Sequence, residues 1–190
     1  MKTRIILPDT DGISEAGAIL RSGGLVAFPT ETVYGLGANA LDATATKHIY
    51  EAKGRPSDNP MIVHVANIDM LNGVASGVTD AQKAIMSKLW PGPITFVLHK
   101  NPAVPDVTTG GLDTVAVRWP SRREAAEIIE AAGVPIAAPS ANISGKPSPT
   151  TFEDVAEDMD GRIDAIVKGE RTAIGIESTV LDLTSEVPTI

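Results

Sequence analysis

The chain has 190 residues, a formal net charge of −8 and no cysteine. Its length predicts one domain, 1–190. The lack of cysteine excludes disulfides, thiolate catalysis and cysteine-ligated zinc, so we expect a cytoplasmic protein. The acidic balance and the 4% aromatic content argue against stable nucleic-acid binding, because phosphates need a basic face and bases need a stacking surface. The apolar N-terminal stretch is too short for a signal peptide or a membrane span.

Apolar runs alternate with segments of helical spacing along the whole chain. The predicted helices are 13–22, 45–52, 79–90, 121–132 and 151–159. The predicted strands are 25–28, 61–65, 94–98, 115–117, 134–138, 163–167 and 178–183. The alternation is not a regular βαβ series, so the sequence predicts an α/β fold with a twisted, mixed open sheet flanked by helices.

The helix ends carry recognisable capping residues. Thr44 and Thr151 are the expected N-caps of their helices. Ser121 and Glu124 have the spacing of a capping box, and Gly133 stands where a helix C-terminus favours glycine.

Four polar loops lie at predicted strand ends, namely 29–37, 53–60, 101–114 and 139–149. If they converge, the pocket contains Lys53, Arg55 and the strand-end Arg118 together with many hydroxyls. Such a pocket suits a polyanion such as a nucleoside triphosphate, with lysine as a point charge and arginine as a fork. Each feature has a plain structural alternative. Lys53 can simply complement a helix C-terminus, His64 can be a satisfied core residue, and 139–149 can be an ordinary connection.

Several common motifs are missing from the sequence. There is no Gly-x-x-x-x-Gly-Lys-Ser/Thr loop, no Gly-x-Gly-x-x-Gly, no Gly-x-Ser-x-Gly and no His-Glu-x-x-His. The residues by themselves therefore predict an α/β protein with an anion pocket and no catalytic triad or metal cage.

Four stretches resemble the YrdC-like family of L-threonylcarbamoyladenylate synthases, and they occur in family order. They are Pro29-Thr-Glu-Thr-Val-Tyr-Gly-Leu-Gly37, Lys53-Gly-Arg-Pro56 with Asn59-Pro60, Pro139-Ser-Ala-Asn142 with Ser144-Gly-Lys-Pro-Ser-Pro149, and Glu177-Ser-Thr-Val180. The combination of Lys53, Arg55, Ser140 and Asn142 makes the resemblance specific, since any one piece alone is weak.

The resemblance implies a reaction of ATP, L-threonine and bicarbonate that gives threonylcarbamoyl-AMP and pyrophosphate. Mg²⁺ would arrive with ATP. A separate transferase would then use the product to modify the tRNA adenosine next to the anticodon. Positioning and charge neutralisation are enough for such chemistry, which accounts for the missing triad.

The resemblance also assigns roles to individual residues. Lys53 and Arg55 are the expected catalytic cations. The expected ATP contacts are Arg55, Asn59, Thr114, Ser140, Asn142 and Ser148. The expected threonine contacts are Thr32, His64, Arg118, Ala138 and Ser178, with Arg118 receiving the amino-acid carboxylate.

The chain departs from the family pattern at its end, because the family usually continues beyond the position of Ile190 into an Arg-Pro-Gly segment. The loop 57–60 resembles that of the longer, two-domain members, so we expect a fragment of such a protein, with ATP affinity weaker than in the extended chain. Two other readings stay open: a double-stranded RNA or tRNA-binding module, and the carbamoyl-adenylate-forming domain of hydrogenase-maturation proteins.

Overall fold

The computed structural model describes residues 2–190, and its central element is a nine-stranded sheet. The strands are β1 (Arg4–Ile6), β2 (Val26–Pro29), β3 (Tyr34–Asn39), β4 (Ile62–His64), β5 (Ile94–His99), β6 (Thr114–Arg118), β7 (Ile136–Ala137), β8 (Ala165–Val167) and β9 (Thr179–Asp182). They are paired in the order β1-β8-β2-β3-β7-β4-β6-β5-β9. Parallel and antiparallel pairs both occur, so the predicted mixed sheet is confirmed.

Six helices accompany the sheet. They are α1 (Thr10–Arg21), α2 (Ala43–Lys53), α3 (Ile68–Val74), α4 (Asp80–Leu89), α5 (Arg123–Ala132) and α6 (Phe152–Met159). Helices α1 and α5 pack together in one apolar cluster with Val26 and Phe28, whereas α2, α3, α4 and α6 belong to a second cluster with Ala27. Successive strand residues point to opposite faces, so the two clusters lie on the two faces of the sheet.

One part of the sheet is covered by an apolar cluster on one face only. On β4, β6 and β5 the residues Val63, Val117 and Phe96 are fully buried in the larger cluster. On the opposite face Ile62, Ala116 and Val97 are only half buried, and together with Val180 on the edge strand β9 they line a cavity of about 250 Å³. This open face is the floor of the candidate site.

The helix caps differ in part from the sequence prediction. Helix α2 is capped by Asp42, whose side chain accepts hydrogen bonds from two amides, and not by Thr44. The capping box at Ser121 does not form, because Arg122 is the N-cap of α5 and its side chain pairs with Glu124 at 3.1 Å instead. The predicted cap at Thr151 is confirmed.

The loop prediction for 29–37 is wrong in its second half, where β3 begins at Tyr34. Two glycines obscure this strand, since glycine is disfavoured in strands unless another group must approach closely. A Cβ added at Gly37 would lie 2.7 Å from a Phe28 ring carbon and 2.9 Å from an Ile136 methyl. Close packing of three strands therefore requires glycine there. The short elements β1 and α3 were also not predicted.

Candidate active site

Loops 29–37 and 139–149 lie side by side and are joined by backbone hydrogen bonds. The Tyr34 amide donates to the Pro149 carbonyl, and the Ala141 amide donates back to the Tyr34 carbonyl, both at 2.9 Å. The predicted convergence of these two loops is therefore present in the fold.

Loops 53–60 and 101–114 form a second joined pair. The Tyr50 hydroxyl lies 3.0 Å from the carbonyl oxygens of both Asn59 and Val107. A single phenol thus links the two loops at the end of the cavity. We call 53–60, 101–114 and 139–149 the rim loops.

Arg118 lies at the centre of the polar part of the site. Its Nη1 donates to the Thr32 hydroxyl at 2.9 Å, and its Nη2 lies 2.7 Å from a Glu31 carboxylate oxygen. Strand pairing places His64 beside Arg118, in register on the parallel strand β4. All four side chains are buried. We call Glu31, Thr32, His64 and Arg118 the arginine cluster.

Strand register places two rows of side chains on the open face of the sheet. The polar row, in register across three strands, is His64, Arg118 and Thr95. The apolar row, two residues away on the same strands, is Ile62, Ala116 and Val97. Two residues of a strand span about 7 Å. A buried polar row and a half-buried apolar shelf therefore lie next to each other on one face.

The electrostatics of the arginine cluster favour an anionic ligand. Burial and the neighbouring Arg118 charge lower the pKa of His64 from 6.5 to about 3, so its imidazole is neutral at pH 7. The Nε and Nη2 atoms of Arg118 and the Nδ1 atom of His64 are buried without a hydrogen-bond partner. Unpaired buried donors are costly, and an incoming carboxylate would satisfy those of Arg118.

Lys53 differs from its predicted role as a cation free to meet phosphate. Its side chain is 1% exposed, and its Nζ donates to the backbone carbonyls of Ser140 and Asn142, the latter at 2.6 Å. Desolvation, with a smaller contribution from Arg55, lowers its pKa to about 8. Lys53 thus ties the end of α2 to the rim loop that carries Ser140.

The other nucleotide-side residues lie around the rim loops. Arg55 donates to the Pro60 carbonyl at 3.3 Å, and Thr114 lines the cavity of the open face beside Pro60. Ser148 donates to Glu177 at 2.7 Å. Thr114 thus lies at the apolar shelf, whereas Ser148 lines a separate cavity with Lys146 and Asp158.

Ser178 lies at the β5 end of the polar row, and Ala138 lies beside Ile62 at the β4 end of the apolar row. The Ala138 amide donates to the Ile62 carbonyl at 2.9 Å on strand β4. The Ser178 hydroxyl lies 2.7 Å from the hydroxyl of Thr95, which is itself paired in register with Arg118. The five threonine-side residues predicted from the resemblance therefore lie on or beside the two rows of this sheet face.

Two residues of the site were not singled out from the sequence. Glu31 stands between two threonines of the first motif. Its position inside that motif could have identified it from the sequence. Thr95 gave no signal, because an isolated threonine in an apolar run is typical of any strand.

Among residues 2–190, no group of three or more His, Cys, Asp or Glu side chains is arranged to hold a metal ion. Every helix in this range is too short or too polar to cross a bilayer.

Fold and site together define an open-sheet α/β protein with a polar pocket beside an apolar shelf. The family model Sua5_yciO_yrdC, described as "Telomere recombination", matches residues 18–190. The chain belongs to this family.

The relatives include a threonylcarbamoyl-AMP synthase of Pyrococcus abyssi, 56% identical over 92% of this chain and 52% of the relative. Another of the same name, from Bacillus subtilis, is 53% identical over 94% of this chain and 52% of the relative. The crystal structure of P. abyssi Sua5 complexed with L-threonine matches with a TM-score of 0.94 and 52% identity, covering 99% of this chain and 56% of that one. The chain thus spans about half the length of these relatives.

Proposed function

We propose that this chain carries the catalytic site of an L-threonylcarbamoyladenylate synthase acting in the cytoplasm on ATP, L-threonine and bicarbonate. The observation that carries the proposal is the buried Arg118, which contacts Thr32, lies in register with His64 and has an Nε atom without a hydrogen-bond partner. The likeness to synthases of that name and to a threonine complex supports the choice of amino acid.

The arginine cluster suits threonine. A guanidinium recognises a carboxylate through two parallel hydrogen bonds, and Arg118 has two donor atoms without acceptors. The hydroxyls of Thr32 and Ser178 and the neutral His64 can bind the remaining polar groups of the amino acid. Ala138 closes the pocket on the β7 side, where its amide is bound to β4.

The rim loops suit the nucleotide. The apolar shelf can take the nucleoside, and Arg55 and Asn59 stand on the loop at its end. Thr114 lines the same cavity. Ser140, Asn142 and Ser148 lie on the facing loop, which Lys53 anchors.

The proposed reaction follows from this adjacency. The threonine amine and bicarbonate give the N-carboxylate and water. A carbamate oxygen then attacks the α-phosphorus of ATP, and pyrophosphate leaves. Holding both substrates on one sheet face converts an encounter of three molecules into an oriented reaction, which accounts for much of the acceleration expected of such a site. Arg55 stabilises charge that develops on the phosphate oxygens, while Lys53 holds the Ser140 loop in place.

Mg²⁺ fits this arrangement as an ion carried by the ATP phosphates, where it neutralises their charge. The side chains around the nucleotide side are mostly hydroxyls, amides and cations, which do not make a protein cage for a hard cation. Glu177, which accepts a hydrogen bond from Ser148, would be the carboxylate to contact the ion from the protein side.

Pyrophosphate release from ATP tests the proposal, with threonine and bicarbonate omitted in turn. We expect release that needs both, and a product with the mass of threonylcarbamoyl-AMP. Release that ignores both omissions would contradict the proposal. The product would pass to a separate tRNA threonylcarbamoyl transferase.

The RNA-binding alternative predicts a salt-sensitive tRNA shift in a gel, because phosphate contacts release counterions. The net charge of −8 disfavours it. The hydrogenase-maturation alternative predicts a reaction that does not depend on threonine, so the omission of threonine separates the two enzymes.

A further inference from the structure

Glu31 is the one member of the arginine cluster to which neither the sequence nor the resemblance gives a role. Its side chain is 10% exposed and both carboxylate oxygens are buried. One oxygen lies 2.7 Å from Arg118 Nη2, yet neither oxygen has a hydrogen-bond partner. The distance and the bonding pattern together describe a charge contact with poor alignment, which leaves acceptor capacity unused.

A buried carboxylate with unused acceptors is expensive unless something donates to it. Arg118 alone satisfies it badly, because its Nη1 is directed to Thr32 at 2.9 Å. An ammonium group brings three donors and a positive charge. An ammonium would therefore donate to the unused acceptors of Glu31, just as a carboxylate would accept from the unpaired donors of Arg118.

The backbone around Glu31 is held on both sides, so its position does not depend on Arg118 alone. The Ile174 amide donates to the Glu31 carbonyl and the Gly175 amide to the Thr32 carbonyl, both at 2.9 Å. The Thr30 hydroxyl donates to the Val33 carbonyl at 2.7 Å. A carboxylate fixed in this way before the ligand arrives loses little freedom on binding.

We propose that Glu31 is the receptor for the α-ammonium group of the amino-acid substrate and selects the amino acid over the analogue that lacks the amine. This inference rests on the proposed threonine site. The amino acid would bridge the existing Arg118–Glu31 pair, with its carboxylate on the guanidinium and its ammonium on the carboxylate. Glu31 thus acts in substrate binding, before bicarbonate or ATP is needed.

The test is calorimetric binding of L-threonine and of (R)-3-hydroxybutyrate, which is threonine without its amine, in bicarbonate-free buffer without ATP. For the wild type we expect threonine to bind at least about tenfold more tightly, the ratio typical of a charged hydrogen bond. Glu31→Gln should weaken threonine binding by a similar factor and leave or improve binding of the hydroxy acid. The ratio of the two dissociation constants should then fall towards unity.

The ratio separates this role from a structural one. If Glu31 only holds Arg118 in place, Glu31→Gln weakens both ligands equally, because both carry the carboxylate that Arg118 binds. An unchanged ratio would therefore overturn the proposal. The matched control is Glu124→Gln, which removes a similar charge from the Arg122–Glu124 pair outside the cluster and should leave the ratio at the wild-type value.

Two further outcomes are informative. If Glu31→Gln does not fold, as judged by its near-ultraviolet dichroism, Glu31→Asp keeps the charge but withdraws it by one methylene. The ratio for that variant should lie between the wild-type value and unity, and a wild-type ratio would contradict the proposal. If the wild type binds neither threonine nor its analogue, the proposed function itself fails and this inference fails with it.

Discussion

The arginine cluster and the rim loops hold their polar groups in different ways. In the arginine cluster, His64 and Arg118 are fixed by strand register and buried to 3% exposure. In the rim loops, the Arg55 side chain donates only to the Pro60 carbonyl, and the Ser148 hydroxyl donates to the exposed carboxylate of Glu177. The arginine cluster is thus anchored within the sheet, whereas the rim loops lie at the edge of the open face.

This difference has an energetic consequence. Removing a charge from a buried pair leaves its partner uncompensated, which costs stability as well as binding. Removing an exposed side chain costs only the contacts that it makes with a ligand. We therefore expect substitutions in the arginine cluster to change stability and threonine binding together, and substitutions in the rim loops to change ATP binding alone.

Arg118→Gln should produce the largest effect. Loss of the guanidinium leaves Glu31 buried without a counter-charge, so the free energy of unfolding should fall by about 3–5 kcal/mol. In protein that remains folded, kcat/KM for threonine should fall at least about 30-fold. Urea unfolding and steady-state kinetics measure the two quantities.

Arg123→Gln is the matched control, because Arg123 is 73% exposed and its pair with Glu127 spans 3.5 Å. Surface pairs of this kind contribute about 0–1 kcal/mol, so the control should behave like the wild type. If folded Arg118→Gln protein has an unchanged KM for threonine, the arginine cluster does not bind threonine and the comparison fails.

His64→Gln should change how stability depends on pH. The folded His64 has a pKa of about 3 against 6.5 in the unfolded chain, so between these values the unfolded state binds more protons. The His64 contribution to stability is thus complete above pH 6.5 and is lost as the pH falls towards 3. A shift of this size corresponds to several kcal/mol, on the order of 1.4 per pKa unit.

Urea unfolding of the wild type and His64→Gln between about pH 7 and pH 4 measures this slope. The wild type should lose more stability than the variant on acidification. His48 and His99 are present in both proteins, so the difference isolates His64. Parallel stability curves would show that His64 titrates normally and is not buried beside Arg118.

Arg55→Ala should produce the smallest effect on the fold. Its guanidinium makes one bond to a neighbouring carbonyl at 3.3 Å, so the free energy of unfolding should change by no more than about 0.5 kcal/mol. Loss of a charged hydrogen bond to phosphate should raise KM for ATP about tenfold and leave KM for threonine unchanged.

Lys47→Ala, an exposed cation on α2, is the control for a general loss of positive charge. It should leave KM for ATP at the wild-type value. If Arg55→Ala instead raises KM for threonine, the division of the site into two sides is wrong.

The sequence predicted the class of fold, because apolar strands and capped helices are local patterns. It also identified the four polar loops, since turn residues and prolines mark loops and polar residues cluster at strand ends. It missed β3, because Gly35 and Gly37 are typical of a turn and only the packing of Gly37 against Phe28 and Ile136 explains a strand there.

The burial and hydrogen bonding of each charged side chain could not be predicted from local sequence patterns. Lys53 looks like a free cation in the sequence, whereas the structure has its ammonium beneath the Ser140 loop. Burial depends on which distant segments cover a residue, and no local pattern contains that information. For the same reason, the unused acceptors of Glu31 are visible only once Arg118 lies beside it.

The sequence by itself thus determined the mixed α/β fold and the residues from which the candidate site is drawn. Only the tertiary structure decided that His64, Arg118 and Thr95 lie in one row beside an apolar shelf. That arrangement depends on the register of β4, β5 and β6, whose pairing brings Arg118 to His64 and Thr95, 54 and 23 positions away in the chain. Register is set by which face of each strand is buried, and burial is a property of the whole fold.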